Sequence, residues 1–146
     1  MKLSLIITTY NWPEALSLVI KSINNQTILP DEVIIADDGS TQETKDLITR
    51  LNNSSDINII HAWQEDIGYR AARSRNNGIL KASGDYIVLI DGDMILHANF
   101  IQDHILSAEH GFFVQGSRVL LSKEKSRNTL SENIINFSIF SNGLKN

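Results

Sequence analysis

Residues 86–94 read YIVLIDGDM, an apolar run that ends in two carboxylates flanking a single glycine. The run has the near-continuous apolar character of a strand buried on both faces, as in a parallel sheet. Carboxylates are costly to place beside such a strand unless something positive sits against them. Asp91–Gly92–Asp93 has two readings. Asp and Gly are the commonest turn residues, so the triplet can be a solvent-exposed turn. Two carboxylates can also present oxygens to a hard divalent cation that keeps positions for water and phosphate, and Gly92 between them permits close approach. Its place after a buried strand favours the second reading.

Outward from that strand, the chain alternates short β-branched runs with helical stretches, the pattern of an α/β fold around a mostly parallel sheet. LSLIIT (3–8) predicts strand one. Asn11 is a plausible N-cap, with Pro13 in the first turn of a helix whose apolar positions include Leu16, Val19, Ile20 and Ile23. EVIIA (32–36) predicts strand two. Ser40 and Glu43 form a capping-box pattern for a helix running to about Leu51. INIIH (57–61) predicts strand three, and a helix from about Tyr69 to Ala82 follows, stopped near Gly84. A helix around 98–108 leads to FFVQGSRVLL (112–121), read as a further strand. Beyond Ser122 the chain turns polar and then holds one short amphipathic segment, Ile134, Ile135, Phe137, Ile139 and Phe140.

The bulk properties set limits. A chain of 146 residues fits one domain with a real core. Its net charge of −4 gives no electrostatic case for nucleic acid or a membrane surface. With no cysteine there is no disulfide framework and no zinc–thiolate site, which fits a reducing cytoplasm. No apolar run is long enough to span a bilayer. There is no P-loop, GxGxxG or GxSxG, which removes the common NTPase, dinucleotide and hydrolase readings.

In an open α/β sheet, ligands sit beyond the carboxyl ends of the strands. Three clusters lie at such ends: Thr8–Thr9–Tyr10, Asp37–Asp38 and Asp91–Asp93. Asp37 and Asp38 can accept hydrogen bonds from a base or ribose, or can belong to a turn that launches the next helix. Tyr10 can stack on a base or pack in the core. Arg70, Arg73 and Arg75 supply guanidinium groups suited to a diphosphate. Arg70 and Arg73, three apart, share a face, with Arg75 partly around the cylinder; an ordinary solvated face is the alternative. His97 and His104 read as surface or helix-end residues rather than metal ligands. Trp12, Trp63, Phe112 and Phe113 read as packing residues.

Taken together, IITTYN, IIADDGST, QEDIGYRAARSRNNGILKASGDYIVLIDGDM and the following FI resemble the donor-binding half of a family 2 glycosyltransferase with the GT-A fold. The likeness covers about residues 3–121. From Trp63 to Met94 it is particularly similar to bacterial lipopolysaccharide and capsular-polysaccharide transferases. The resemblance implies a GT-A type, Rossmann-like sheet with helices on both faces. It also implies a nucleotide-sugar donor, with a UDP-sugar favoured, and a Mn²⁺ or Mg²⁺ ion. Thr8, Tyr10 and Asp37 would surround the base with Asp38 nearby. Arg70, with Arg75 on the same helix, would be near the base or phosphates. Asp91 would face the ribose or the metal, and Asp93 would coordinate the metal. The implied acceptor is a saccharide or a lipid-linked saccharide, with peripheral membrane association open at the inner face of the membrane.

The family's general base comes from a downstream acidic stretch resembling GWGxED, and nothing after Ser122 matches it. Glu124 and Glu132 are the only acids there. The expectation is a truncated enzyme, with residues 1–121 as a donor-binding domain and 122–146 as the start of an incomplete acceptor-side region or a tail. Two rivals follow. One is a non-catalytic nucleotide-binding or assembly module. The other is a receiver-like phospho-acceptor domain, which needs a lysine on a late strand that is not found.

Overall fold

The computed structural model describes residues 1–138 and 140–145. Four strands, β1 (Leu3–Thr9), β2 (Glu32–Asp37), β3 (Ile59–Trp63) and β4 (Tyr86–Asp91), form one parallel sheet in the order β3-β2-β1-β4. The fold is α/β with helices on both faces, as the resemblance to a GT-A fold implies. The chain steps outward from β1 to β3, then returns to the other side of β1 through β4. That reversal places a switch point between β1 and β4, where an open sheet parts to admit a ligand. The register sets Thr8 beside Asp91 and Thr9 beside Asp37, so the polar strand ends lie level along one edge.

Alternation along β1 explains the layers. Leu3, Leu5 and Ile7 point to one face, against Leu16, Val19, Ile20 and Ile23 of α1 (Pro13–Asn24), Ile48 of α2 (Gln42–Ser54) and Ile101 of α4 (Phe100–Ser107). Ile6, Ile34, Ala36 and Ala62 point to the other face, under α3 (Ala71–Lys81). Every residue of β2 is buried. Each fully buried Ile or Leu contributes about 1.5–3 kcal/mol. Helix α3 lies close to the sheet because position 78 is glycine; a Cβ there would stand 2.8 Å from the Ile6 side chain.

Several elements depart from the sequence expectation. β4 is not buried on both faces: Ile87 and Leu89 are 38% and 48% exposed. β4 has only β1 as a neighbour, and α3 packs over β1, β2 and β3, so the α3-side face of β4 stays open. β3 starts two residues later than expected. α1 is preceded by Trp12 at the cap position, and Asn11 adopts a left-handed backbone with φ 46°. Thr41, not Ser40, precedes α2, because the Ser40 hydroxyl accepts the Asn11 N–H at 2.9 Å instead. α3 begins at Ala71 rather than Tyr69, after Arg70 in a non-helical conformation.

The expected strand over 112–121 is confined to β5 (Leu120–Leu121), which pairs antiparallel with β6 (Leu144–Lys145) outside the main sheet. Phe112, Phe113, Trp12 and Trp63 are exposed rather than packed. An unforeseen helix, α5 (Lys123–Glu132), begins where Ser122 Oγ accepts the Lys125 N–H, and ends at Asn133 in the left-handed region. Residues 134–138 are not helical; Ile139, from the expected amphipathic segment, lies outside the described residues.

Candidate functional site

A cleft of about 330 Å³ opens beyond the carboxyl ends of β1, β2 and β4, closed on one side by the start of α3. The DGD turn is drawn onto β1 by its backbone. Gly92 donates its N–H to the Thr8 carbonyl at 2.7 Å, and a Cβ at position 92 would stand equally close to that oxygen. Glycine is therefore required there by the close approach.

Asp91 is held from two sides on one oxygen. Its Oδ1 accepts the Thr8 hydroxyl at 3.0 Å and Arg75 Nη2 at 2.8 Å. Both partners of the Arg75–Asp91 pair are about two-fifths exposed, so the pair fixes orientation more than it adds stability. Asp93 is exposed and has no hydrogen-bond or ion-pair partner among the described residues.

The Asp37–Asp38 pair divides its work. Asp37 is buried and does not line the cleft; its Oδ1 accepts the Ser40 N–H at 2.8 Å, and its Oδ2 faces His61 Nε2 at 2.8 Å. Burial pushes this carboxyl up, but the bonds from His61 and Ser40 outweigh it and hold the group below its ordinary value. Asp38 lines the cleft. It accepts Gln64 Nε2 on Oδ1 and the Arg70 N–H on Oδ2, the latter at 2.7 Å, which ties the start of α3 to the end of β2. Asn77 in turn donates to Gln64 Oε1 at 2.9 Å.

Thr8, Tyr10, Asp38, Arg75, Asp91 and Asp93 are thus brought together, while Asp37 and Arg70 lie outside the cleft lining. Arg70 Nη2 turns back to donate to the Glu65 carbonyl, and Arg73 faces solvent. Arg75 is the arginine that turns inward, since it follows the buried Ser74 on the helix and reaches Asp91, while Arg70 precedes the helix. Tyr10 donates its hydroxyl to Asp66 at 2.9 Å, and this carboxylate raises the phenol above its ordinary value. His97 and His104 lie away from the cleft; His104 Nδ1 meets the Tyr86 hydroxyl at 3.1 Å, and burial lowers its pKa.

Several cleft residues, Tyr69 among them, went unrecognised in the sequence. Trp12 and Arg118 line it, as does Ser74, fully buried with a hydroxyl that has no partner among the described residues. Ala71, Ser74 and Gly78 share one face of α3 at helical spacing, a run of small residues that could have marked Ser74. Arg118 had no such signal.

No group of three or more His, Cys, Asp or Glu side chains could hold a metal by itself among the described residues. The donors at the cleft suit an ion completed by water and phosphate oxygens, since Mg²⁺-type sites commonly use one or two carboxylates plus substrate phosphate. Asp93 and the outer oxygen of Asp91 fit that requirement.

The model of glycosyl transferase family 2 matches residues 4–146. The chain belongs to this family. This glycosyltransferase-family chain is 36% identical over 104 residues to a hyaluronan synthase of Pasteurella multocida, a match covering 70% of the chain and 10% of that protein. In structure it is similar to the mannosyltransferase PcManGT of Pyrobaculum calidifontis in complex with GDP-Man and Mn²⁺. That match has a TM-score of 0.62 at 22% identity and covers 71% of this chain and 31% of that one. It is also similar to S. aureus TarS 1-349 in complex with UDP-GlcNAc, with a TM-score of 0.60 at 19% identity, over 92% of this chain and 48% of that one. The family 2 chain therefore spans less than half the length of each. No described helix is long and apolar enough to cross a membrane.

Proposed function

We propose that the cleft binds a nucleotide-sugar, favouring a UDP-sugar, with Mn²⁺ or Mg²⁺ held by Asp93 and Asp91. The chain would then serve as the donor-binding part of an inverting glycosyltransferase that acts on a saccharide or lipid-linked acceptor. One observation carries this reading: Asp91 is oriented by Thr8 and Arg75 while Asp93, next to it, is left without a partner. Two structurally similar proteins hold nucleotide-sugars, one of them with Mn²⁺, which supports it.

When bound, the ion supplies Lewis-acid stabilisation to the leaving diphosphate. The chain's own residues do the rest. Tyr10 and Asp38 border the end of the cleft nearest β2, where a base fits. Arg75 keeps Asp91 aimed and places a positive charge beside the phosphates.

A second reading, a nucleotide-binding module without transfer activity, is favoured by one feature. Inverting transfer needs a carboxylate base at the acceptor hydroxyl, and Glu124 and Glu132 on α5 do not line the cleft.

The test is equilibrium binding of UDP to the 146-residue chain in Mn²⁺ and then in excess EDTA. Binding that is strong in Mn²⁺ and at least tenfold weaker in EDTA is expected; equal binding overturns the metal role. Release of sugar from a UDP-sugar would exclude the second reading.

A further inference from the structure

Arg118 reaches the cleft from a part of the chain that none of the strand-end clusters includes. It lies in the irregular segment between α4 and β5, and its side chain is 67% exposed. Its Nη1 stands 4.0 Å from Asp91 Oδ2, the oxygen that Thr8 and Arg75 leave open. A contact of that length in solvent adds little stability, so Arg118 is able to exchange Asp91 for a stronger anion. Arg75, by contrast, is committed to Asp91 at 2.8 Å.

The position of Arg118 is specific. A second, larger groove of about 670 Å³ runs from α1 past the 94–98 loop to the region after β5. Trp12, Asp93 and Arg118 form the wall that this groove shares with the cleft. Tyr10 and Asp38, after β1 and β2, border the cleft alone. With β1 lying between β2 and β4, a ligand stretched along the sheet edge has one end at Asp38 and the other at Asp93 and Arg118.

Charge points the same way. Among the described residues the cleft lining carries three carboxylates and two guanidinium groups, a net negative wall facing an anionic ligand. A divalent cation reverses that balance only by one charge. Loss of Arg118 would cancel the reversal.

We propose that Arg118 binds the outer phosphate of the nucleoside diphosphate, the one bonded to the sugar. The proposal rests on the nucleotide-sugar reading above. A guanidinium fork suits two phosphate oxygens, and here it stands by the Asp91 oxygen that Arg75 does not hold. Negative charge accumulates on this phosphate when the sugar leaves, so Arg118 serves the departing group as well as the bound donor.

The test is calorimetric titration of the full chain in Mn²⁺ with UDP and with UMP, which lacks the outer phosphate, on wild type, Arg118→Ala and Arg118→Lys. Arg118→Ala should bind UDP at least tenfold more weakly and UMP within about twofold of wild type, with an unchanged melting curve. Arg118→Lys should recover part of the loss, since it keeps the charge and loses the fork. Unchanged UDP binding by Arg118→Ala, or an equal loss for UDP and UMP, overturns the proposal. A wild-type chain that binds neither nucleotide overturns the cleft's assignment and this proposal with it.

Discussion

Asp37 and Asp38 are neighbours with opposite duties, and the pair shows how a single residue's surroundings decide its role. Asp37 is sealed beneath the cleft floor by His61 and Ser40, which hold its carboxyl below the ordinary value of 3.8 against the upward push of burial. A depressed folded pKa contributes stability that is fully present above the unfolded value. That contribution is lost as pH falls through the lower folded one. Glu32, buried at the opposite end of β2, is lowered in the same sense: bonds from Ser4 and Ser83 outweigh its burial. Asp37→Asn should therefore cost about 1–3 kcal/mol near neutral pH, the penalty for an ill-matched buried group. The variant's stability should also fall less steeply than wild type below about pH 4. Urea unfolding across that range checks it, and parallel curves would contradict the role given to Asp37. The sequence shows two acids at a strand end. Which of the two faces the cleft depends on the His61 and Ser40 partners, which no local pattern reveals.

At the scale of elements, α3 is the part that carries the site. Asp38 holds its first turn, its Ala71–Ser74–Gly78 face lies on the sheet, and Arg75 turns toward Asp91. Gly78→Val should force the helix off Ile6 and Ala36, costing about 1–3 kcal/mol by overpacking and weakening Mn²⁺–UDP binding together with it. Denaturant unfolding and a binding titration measure the two effects; unchanged stability would contradict the close packing. The small-residue spacing of this face is present in the sequence, although it went unrecognised there. The start of the helix was not legible, because Arg70 is fixed by Asp38 from a distant strand, which leaves Arg70 outside the helix. β4 was misread for a related reason. Apolar content makes Ile87 and Leu89 look buried, but β4 has one neighbour and α3 does not cover the face on which they lie. The run 112–121 likewise has the content of a strand but finds a partner only at Leu120–Leu121.

For the whole molecule, the parallel topology does what no single motif could. The order β3-β2-β1-β4 brings three strand ends, far apart in sequence, onto one edge at the point where the chain reverses direction. The α/β class and the strand-end clusters were legible because a βαβ pattern fixes where strand ends lie. Arg118 and α5 were not, since they lie outside the main sheet and its repeating pattern. The central claim is that Asp93 anchors a metal-bound diphosphate at this edge. It is tested most directly by calorimetric titration of UDP, in saturating Mn²⁺, into wild type and Asp93→Ala. Asp93 is exposed and without a partner, so the variant should melt like wild type. It should bind UDP at least tenfold more weakly, a loss of about 1.4 kcal/mol or more. Binding of UDP by Asp93→Ala with wild-type affinity would contradict the account.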